Sequence, residues 1–280
     1  MQKHLPLLVG CIVLQACGGG GGGGGTPLTY TSYTAAGLAS SKDITVNGSY
    51  AATAYSGGSD ATSLTVDYTL RSDGLISYAK LQPVWDTAQT FDTNAGDTIA
   101  TFTRGVIGVR SDGDGAIFHR DSYSFYGIWE RKLSPTSWRV YGGHAGTTTS
   151  NPVSHVSTAT YSGHVMGILS AIGYSSIVTV GDFTASANFS AGSMSLASSN
   201  TRGISLSGTD LGSYAGENFS GTLTSQNANT YAGTLTAANG LTGSSYLKVY
   251  GPAANSVAGN ARLTNAGSSR LHVVAFGGTR

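Results

Sequence analysis

Charge is scarce in this chain: Asp, Glu, Lys and Arg make up 10% of its 280 residues, against roughly 25% in an ordinary soluble domain. Glutamate occurs only at Glu130 and Glu217. Long helices draw on Glu, Lys, Leu and Arg, so an all-α fold is excluded. Lys and Arg stand singly and the formal charge is +1. No basic stripe therefore exists to neutralise phosphates, which removes nucleic acid from the candidate partners. Cysteine is confined to Cys11 and Cys17, too few for a disulfide framework. No apolar run approaches the roughly twenty residues of a bilayer-spanning helix. What is plentiful is small: 41 glycines with many Ser, Thr and Ala, beside a 40% hydrophobic fraction and 9% aromatics. Such a chain can still bury a core, so global disorder is excluded.

The amino terminus reads MQKHLPLLVGCIVLQAC. Lys3 and His4 precede an apolar run from Leu5 to Leu14, and the small Ala16 precedes Cys17. This is the order of a secretory signal, and its core of about ten residues is too short for an anchor. Leu14-Gln15-Ala16-Cys17 resembles a bacterial lipobox, whose cysteine takes a diacylglycerol thioether and acyl chains such as palmitate after cleavage. Residues 1–16 are thus expected to be a signal peptide and Cys17 a lipidated amino terminus, the alternative being a secreted protein that keeps Cys17 as a thiol. Cys11 leaves with the signal, so lipidation would consume the last thiol in an oxidising compartment. Gly18 to Gly25 is unbroken glycine, so residues 17–25 read as a lipidated flexible tether spanning roughly 15 Å.

From Thr26 onward, short alternating stretches rich in Val, Ile, Tyr, Phe and Thr are punctuated by Gly, Asn, Asp and Ser. That is the pattern of β-strands. In the first half, strands are expected at 63–70, 75–81, 100–109, 116–119, 123–131 and 138–142. Ser72-Asp73-Gly74 and Ser111-Asp112-Gly113-Asp114-Gly115 supply turns. A soft segment, Gly142 to Pro152, separates them from strands at 157–169, 176–189, 192–197, 203–206, 215–224, 230–237, 244–250, 257–264 and 270–276. Turns are expected at Asn227-Ala228-Asn229 and Asn265-Ala266-Gly267.

The expected architecture is all-β. A handle-like β domain over residues 26–152 is followed by an eight-stranded antiparallel β-barrel over residues 153–280, closure being the way to remove sheet edges that no helix covers. A sandwich is the alternative. An outer-membrane barrel would need an apolar outer band, whereas many strands here carry Ser, Thr, Asn or Ala on both faces, as in Gly221-Thr222-Leu223-Thr224, which fits a water-soluble barrel better.

The segment LKVYGPAANSVAGNARL, Leu247 to Leu263, resembles the barrel signature of transferrin-binding protein B-like surface lipoproteins through Tyr250, Gly251, Pro252, Ala254 and Gly259. Where that family usually has an acidic residue, a glycine and a Phe, this chain has Ser256, Ala258 and Ala261. Ala159-Thr160-Tyr161-Ser162-Gly163, Phe125-Tyr126-Gly127-Ile128-Trp129 and Ala275-Phe276-Gly277-Gly278 are similar to the family's barrel-opening strand, the aromatic-Gly element before it and the closing strand. The cysteine-oligoglycine leader is similar to that of factor H-binding protein. The resemblance implies lipid-anchored display on the outer-membrane surface and capture of a host or environmental partner. On physical grounds alone Pro252 must end a strand and Gly251 permits the bend before it.

No catalytic constellation is found. His119-Arg120-Asp121 lacks the other parts of a kinase. Ser245 and Lys248 fall on opposite faces of a strand. Asp112 and Asp114 lack the later ligands of a calcium loop. Glu130 and Glu217 form no recognisable acid pair. Mature histidines fall at 119, 144, 155, 164 and 272 without metal-ligand spacing. One of them, or a tyrosine, is a candidate haem or iron ligand; otherwise His144 and His155 are loop residues and His164 and His272 lie on strand faces. Of the aromatics, Trp129 is expected in the core and Trp85 at the surface. The chain is thus expected to be a monomeric, non-enzymatic binding lipoprotein without a resident metal, taking a protein or an iron- or haem-bearing ligand. The alternative is a structural or export-related envelope lipoprotein with no small ligand.

Overall fold

The computed structural model describes the backbone of residues 31–32, 38–52, 58–71, 76–83, 89–92, 98–102, 105–109, 115–121, 123–134, 137–146, 149, 151–171, 177–204, 210–267 and 269–280, with side chains at some positions between residues 117 and 153 and at those from 154 onward. Cys17, the glycine tether, Trp85 and the Asp112-Asp114 turn lie outside these residues.

The first sheet is formed by β1 (Thr31–Ser32), β2 (Leu38–Ala52), β3 (Gly58–Arg71), β4 (Ile76–Pro83), β5 (Gln89–Asp92), β6 (Thr98–Phe102), β7 (Gly105–Val109), β8 (Gly115–Arg120), β9 (Ser124–Ser134) and β10 (Ser137–Gly146). These ten pair in the order β1-β6-β7-β8-β9-β10-β2-β3-β4-β5. The segment 100–109, expected as one strand, is a hairpin in which Phe102 pairs with Gly105. β2 was not expected, because Lys42, Asp43 and Asn47 break the apolar alternation along it.

The second sheet comprises β11 (Thr158–Ala171), β12 (Ile177–Asn188), β13 (Ser193–Ile204), β14 (Asp210–Ser213), β15 (Phe219–Asn227), β16 (Thr230–Ala237), β17 (Thr242–Tyr250), β18 (Ser256–Thr264) and β19 (Arg270–Thr279). The order β12-β11-β19-β18-β17-β16-β15-β13, with β12 pairing back onto β13, closes an eight-stranded antiparallel barrel. β14 extends the β13 edge beyond β15. The two strands expected at 192–197 and 203–206 are one, because Asn200 (φ 53°) takes up an irregularity and the strand continues. The strand expected from residue 215 instead opens with a 3₁₀ turn, Ala215–Glu217.

Burial follows this geometry. Along β12, Phe183, Ala185 and Ala187 point into the barrel while Thr184, Ser186 and Asn188 meet water, the alternation of a sheet with one wet face. β18 and β19 are buried almost continuously, because β9 and β10 of the first sheet cover their outer side, with β2 also over β18. That shared layer contains Ile117, Tyr126, Ile128 and Val140 from the first sheet, against Met166, Ile168, Val178, Val180, Leu271, Val273 and Ala275 from the barrel.

Inside, large and small residues interlock: a Cβ on Gly221 would strike Leu235, and one on Gly233 would strike Leu223. Gly163 faces the carbonyl of Gly277 and the Cα of Gly278 where β11 meets β19. Backbone cannot yield as a side-chain tip can. Gly163→Val is therefore expected to lower folding stability by about 1–3 kcal/mol, read as a fall in the urea midpoint; an unchanged midpoint would contradict this closure.

Candidate functional site

Both barrel mouths are closed by the chain itself. At one, residues 251–254 turn between β17 and β18, with Gly251 at φ 87° and Ala254 at φ 56°. Ala254 enters the barrel core, and Tyr161 donates its hydroxyl to the Ala254 carbonyl at 2.9 Å. The Tyr-Gly-Pro-x-Ala element is thus a stopper as well as a strand end. Thr149 reinforces it by donating to the Gly251 carbonyl.

At the other mouth, the 3₁₀ turn Ala215–Glu217 folds over the barrel end. Asn239 N–H donates to the Gly216 carbonyl at 2.9 Å and Ala238 N–H to that of Asn218 at 2.8 Å. Glu217, 1% exposed, accepts from Arg270 and from Asn239 Nδ2 at 2.8 Å. His272 Nδ1 lies 3.4 Å from Glu217 Oε2, near enough for charge attraction but not aligned as a hydrogen bond. His272 Nε2 is 2.8 Å from Thr179 Oγ1. Burial pushes the Glu217 carboxyl up, but neighbouring His272 and Arg270 outweigh it and hold the group below its ordinary value.

Hydroxyl, imidazole and carboxylate in series have the outline of a nucleophilic triad. Thr179 and His272 are both 0% exposed, however, and a small glycine, Gly167, is needed just to admit them: its Cβ would sit 2.6 Å from His272 Nε2 and 2.7 Å from Thr179 Oγ1. No substrate atom could reach that hydroxyl, so the array is a polar plug. Glu217→Gln keeps its shape and removes its charge. The expected loss is about 1.5–3 kcal/mol, the range for a hydrogen bond to a charged group, nearer the lower figure because Arg270 is 41% exposed. Thermal denaturation of the variant checks it; an unchanged Tm would show that the plug carries no stability.

The remaining histidines gather mainly between the two sheets. His119 on β8 and His164 on β11 face each other edge to face at 4.9 Å between ring centroids, with Tyr126 5.2 Å from His119. Tyr126 donates to the Gly277 carbonyl at 3.0 Å. A Cβ on Gly277 would meet the Tyr126 ring at 2.6 Å. His144 is not a loop residue: β10 runs through it, and it is 1% exposed. Its Nδ1 shares a 2.7 Å hydrogen bond with the Tyr250 hydroxyl. Burial, with a smaller contribution from Lys248, lowers the His144 imidazole to about 3, and burial raises the Tyr250 phenol. Ser256, at the position where an acidic residue would match the signature, instead donates to Asp121 Oδ2 at 2.8 Å and bonds Ser124 at 2.7 Å. The carboxylate there comes from the neighbouring sheet.

His155 lies exposed after the 3₁₀ turn Pro152–Ser154. Ser245 and Lys248 lie on β17 three positions apart, hence on opposite faces. Trp129 lies on β9, its side chain outside the described residues. Among the described residues no three of His, Cys, Asp and Glu are grouped to hold a metal. The sequence reading missed the convergence of Glu217, Thr179, Arg270 and His272. Its only signal was a lone glutamate in a stretch otherwise poor in charge.

No family model matches the chain, and no curated protein does. Solved structures that it is similar to include transferrin-binding protein B from Neisseria meningitidis serogroup B (13% identity, TM-score 0.44, covering 79% of this chain and 52% of that one). A variant of transferrin-binding protein B from Haemophilus parasuis matches at 11% identity and TM-score 0.41, covering 77% and 50%. A protein with unknown function from Nostoc punctiforme matches at 10% identity and TM-score 0.26, covering 84% and 95%. The chain spans about half the length of the transferrin-binding proteins it matches. At these identities no ligand or partner is transferred from them.

Proposed function

We propose that the protein is a lipid-anchored, non-enzymatic binding protein of the outer-membrane surface, acting as a monomer. Residues 1–16 serve as its signal, residues 17–25 as its anchor and tether, residues 26–152 as a handle-like domain and residues 153–280 as the barrel. Its partner is a host or environmental protein or an iron- or haem-bearing ligand. The observation that carries this reading is the lipobox ending in Cys17, followed by eight glycines and then β structure: a fatty anchor and a slack leash suit a body that must meet partners away from a membrane. Two structural features support it. The triad-like array is sealed inside the barrel, and the barrel interior is filled from mouth to mouth.

Affinity capture tests the binding role. The mature protein is immobilised and exposed to serum and to culture fluid, and haem is titrated separately. A stoichiometric partner, or a Soret band at one haem per chain, is expected. Inert behaviour in both arms would favour the structural or export-related alternative.

A further inference from the structure

One wall of the barrel is turned away from the first sheet, and its chemistry is unusual. Between Glu217 and Lys248 the chain has no Asp, Glu, Lys, Arg or His, yet this stretch forms β15, β16 and most of β17, whose outward residues are largely exposed. Soluble surfaces ordinarily carry charge at about 25–35% of positions. Here the outward groups are hydroxyls, and the antiparallel register sets them in rows. Ser195 stands opposite Thr222 and Thr234 opposite Ser244. In the adjacent row, Ser220 faces Thr236, Thr236 faces Thr242 and Thr242 faces Thr264. Neighbouring strands are about 4.8 Å apart and alternate residues along a strand about 7 Å apart. Ser195 and Thr222 hydroxyls already bond each other at 3.2 Å. Beside these rows, on β17, stands Tyr246, 39% exposed and one of two large hydrophobic side chains exposed among the described residues.

The chemistry selects an occupant. The rows themselves carry no charge, and the two cations at their margin, Lys248 on β17 and Arg262 on β18, stand singly, so the face lacks the basic cluster that anionic lipid, nucleic acid or an acidic glycan would need. One aromatic is too few for the anchor cluster of a protein interface, and β15, β16 and β17 are each paired on both sides, which leaves this wall no edge for an added strand. A neutral sugar chain needs many weak donors and acceptors that cost little to desolvate, together with an aromatic ring for the apolar side of a pyranose. We infer that this wall binds a neutral polysaccharide, laid across the Ser/Thr rows with one sugar ring against Tyr246. Each sugar is held weakly, and a polymer gains by repeated engagement. The inference goes beyond the lipoprotein reading and stands whether or not Cys17 is acylated.

Affinity electrophoresis tests it. The detergent-solubilised mature chain is run through native gels containing dextran, mannan or galactan, with heparin as the charged control. Retardation in at least one neutral gel is expected, with the association constant reduced at least fivefold by Tyr246→Ala and by Thr234→Lys. Thr279→Lys, exposed at the end of β19 and paired only with Ser162 and Ser256, lies away from these rows and should leave it unchanged. Both test positions are exposed, so the urea midpoints of these variants report whether the fold is kept. Absence of retardation in every neutral gel, retardation by heparin alone, retardation indifferent to both test variants, or a protein partner lost with both of them would each overturn the proposal.

Discussion

Replacing Cys17 with alanine is expected to shift the protein from the membrane fraction almost completely into the soluble fraction, and to abolish its cleavage by protease added to intact cells. The argument rests on what else could hold it. No helix of the described residues is long and apolar enough to cross a membrane. The strands of the barrel do not offer an alternative: a membrane barrel presents a continuous apolar band outward, whereas here Ser220, Thr222, Thr224, Thr234, Thr236 and Ser244 face solution on one side. On the other side, the apolar outer residues of β11, β12 and β19 are spent against the first sheet. On the proposed lipoprotein reading, acyl chains then carry the whole attachment at about 0.8 kcal/mol per buried methylene. A single chain holds only reversibly and two or more hold stably, so removing the acceptor sulfur removes the entire anchor. Intact-mass measurement of the amino-terminal peptide should show the wild type starting at an acylated Cys17. If the variant still sediments with membranes, the anchor lies elsewhere and the lipobox reading fails.

How far the sequence disclosed the structure depended on whether a strand has one wet face. β16 was expected at residues 230–237 and is found at Thr230–Ala237, because Tyr231 and Leu235 turn inward while Thr234 and Thr236 turn out. Hairpin turns at Asn227-Ala228-Asn229 and Asn265-Ala266-Gly267 were legible for a local reason, residues that tolerate tight reversal, and Gly267 indeed takes φ 89°. β13 was read as two pieces because Ser199 and Asn200 look like a turn. In the barrel they form an irregularity that the ladders to β12 and β14 hold in place. His144 reads as a loop residue because it falls in Gly142 to Pro152, a segment that opens on two glycines, is poor in apolar residues and closes on a proline. Those glycines are buried strand positions, and a Cβ at Gly142 would meet Ile128 at 3.0 Å. The plug was illegible in principle: Thr179, Glu217, Asn239 and His272 meet only once the barrel is closed, and no local spacing encodes that meeting.

The seam between the sheets is expected to weaken steeply in mild acid, with His144 as the main cause. Its imidazole is held at about 3 in the folded protein, by burial first and by Lys248 second, against about 6.5 in an unfolded chain. Above pH ~6.5 the group is neutral in both states and contributes no pH dependence. Between ~6.5 and ~3 the unfolded chain takes up a proton that the folded chain refuses, so stability falls as pH falls, by about 1.4 kcal/mol per pH unit and roughly 5 kcal/mol in total.

Glu217 acts in the same direction in a lower window: its depressed carboxyl stabilises the fold above the unfolded value of about 4.3, and this is lost as pH falls through the folded value. The interval from about pH 6.5 to 4.5 therefore isolates histidine. His144→Phe alone would strand the Tyr250 hydroxyl, so the informative protein is the double variant His144→Phe with Tyr250→Phe, which replaces both partners by apolar groups of similar shape. Urea unfolding at pH 6.5, 5.5 and 4.5 should show the wild type losing about 2.3 kcal/mol more than the double variant over those two units, a little under the full slope because the unfolded imidazole is already half protonated at pH 6.5. The other histidines are common to both proteins and cancel in the difference. Equal slopes would mean that His144 is open to protons in the folded state, and that the seam between the sheets does not seal as described.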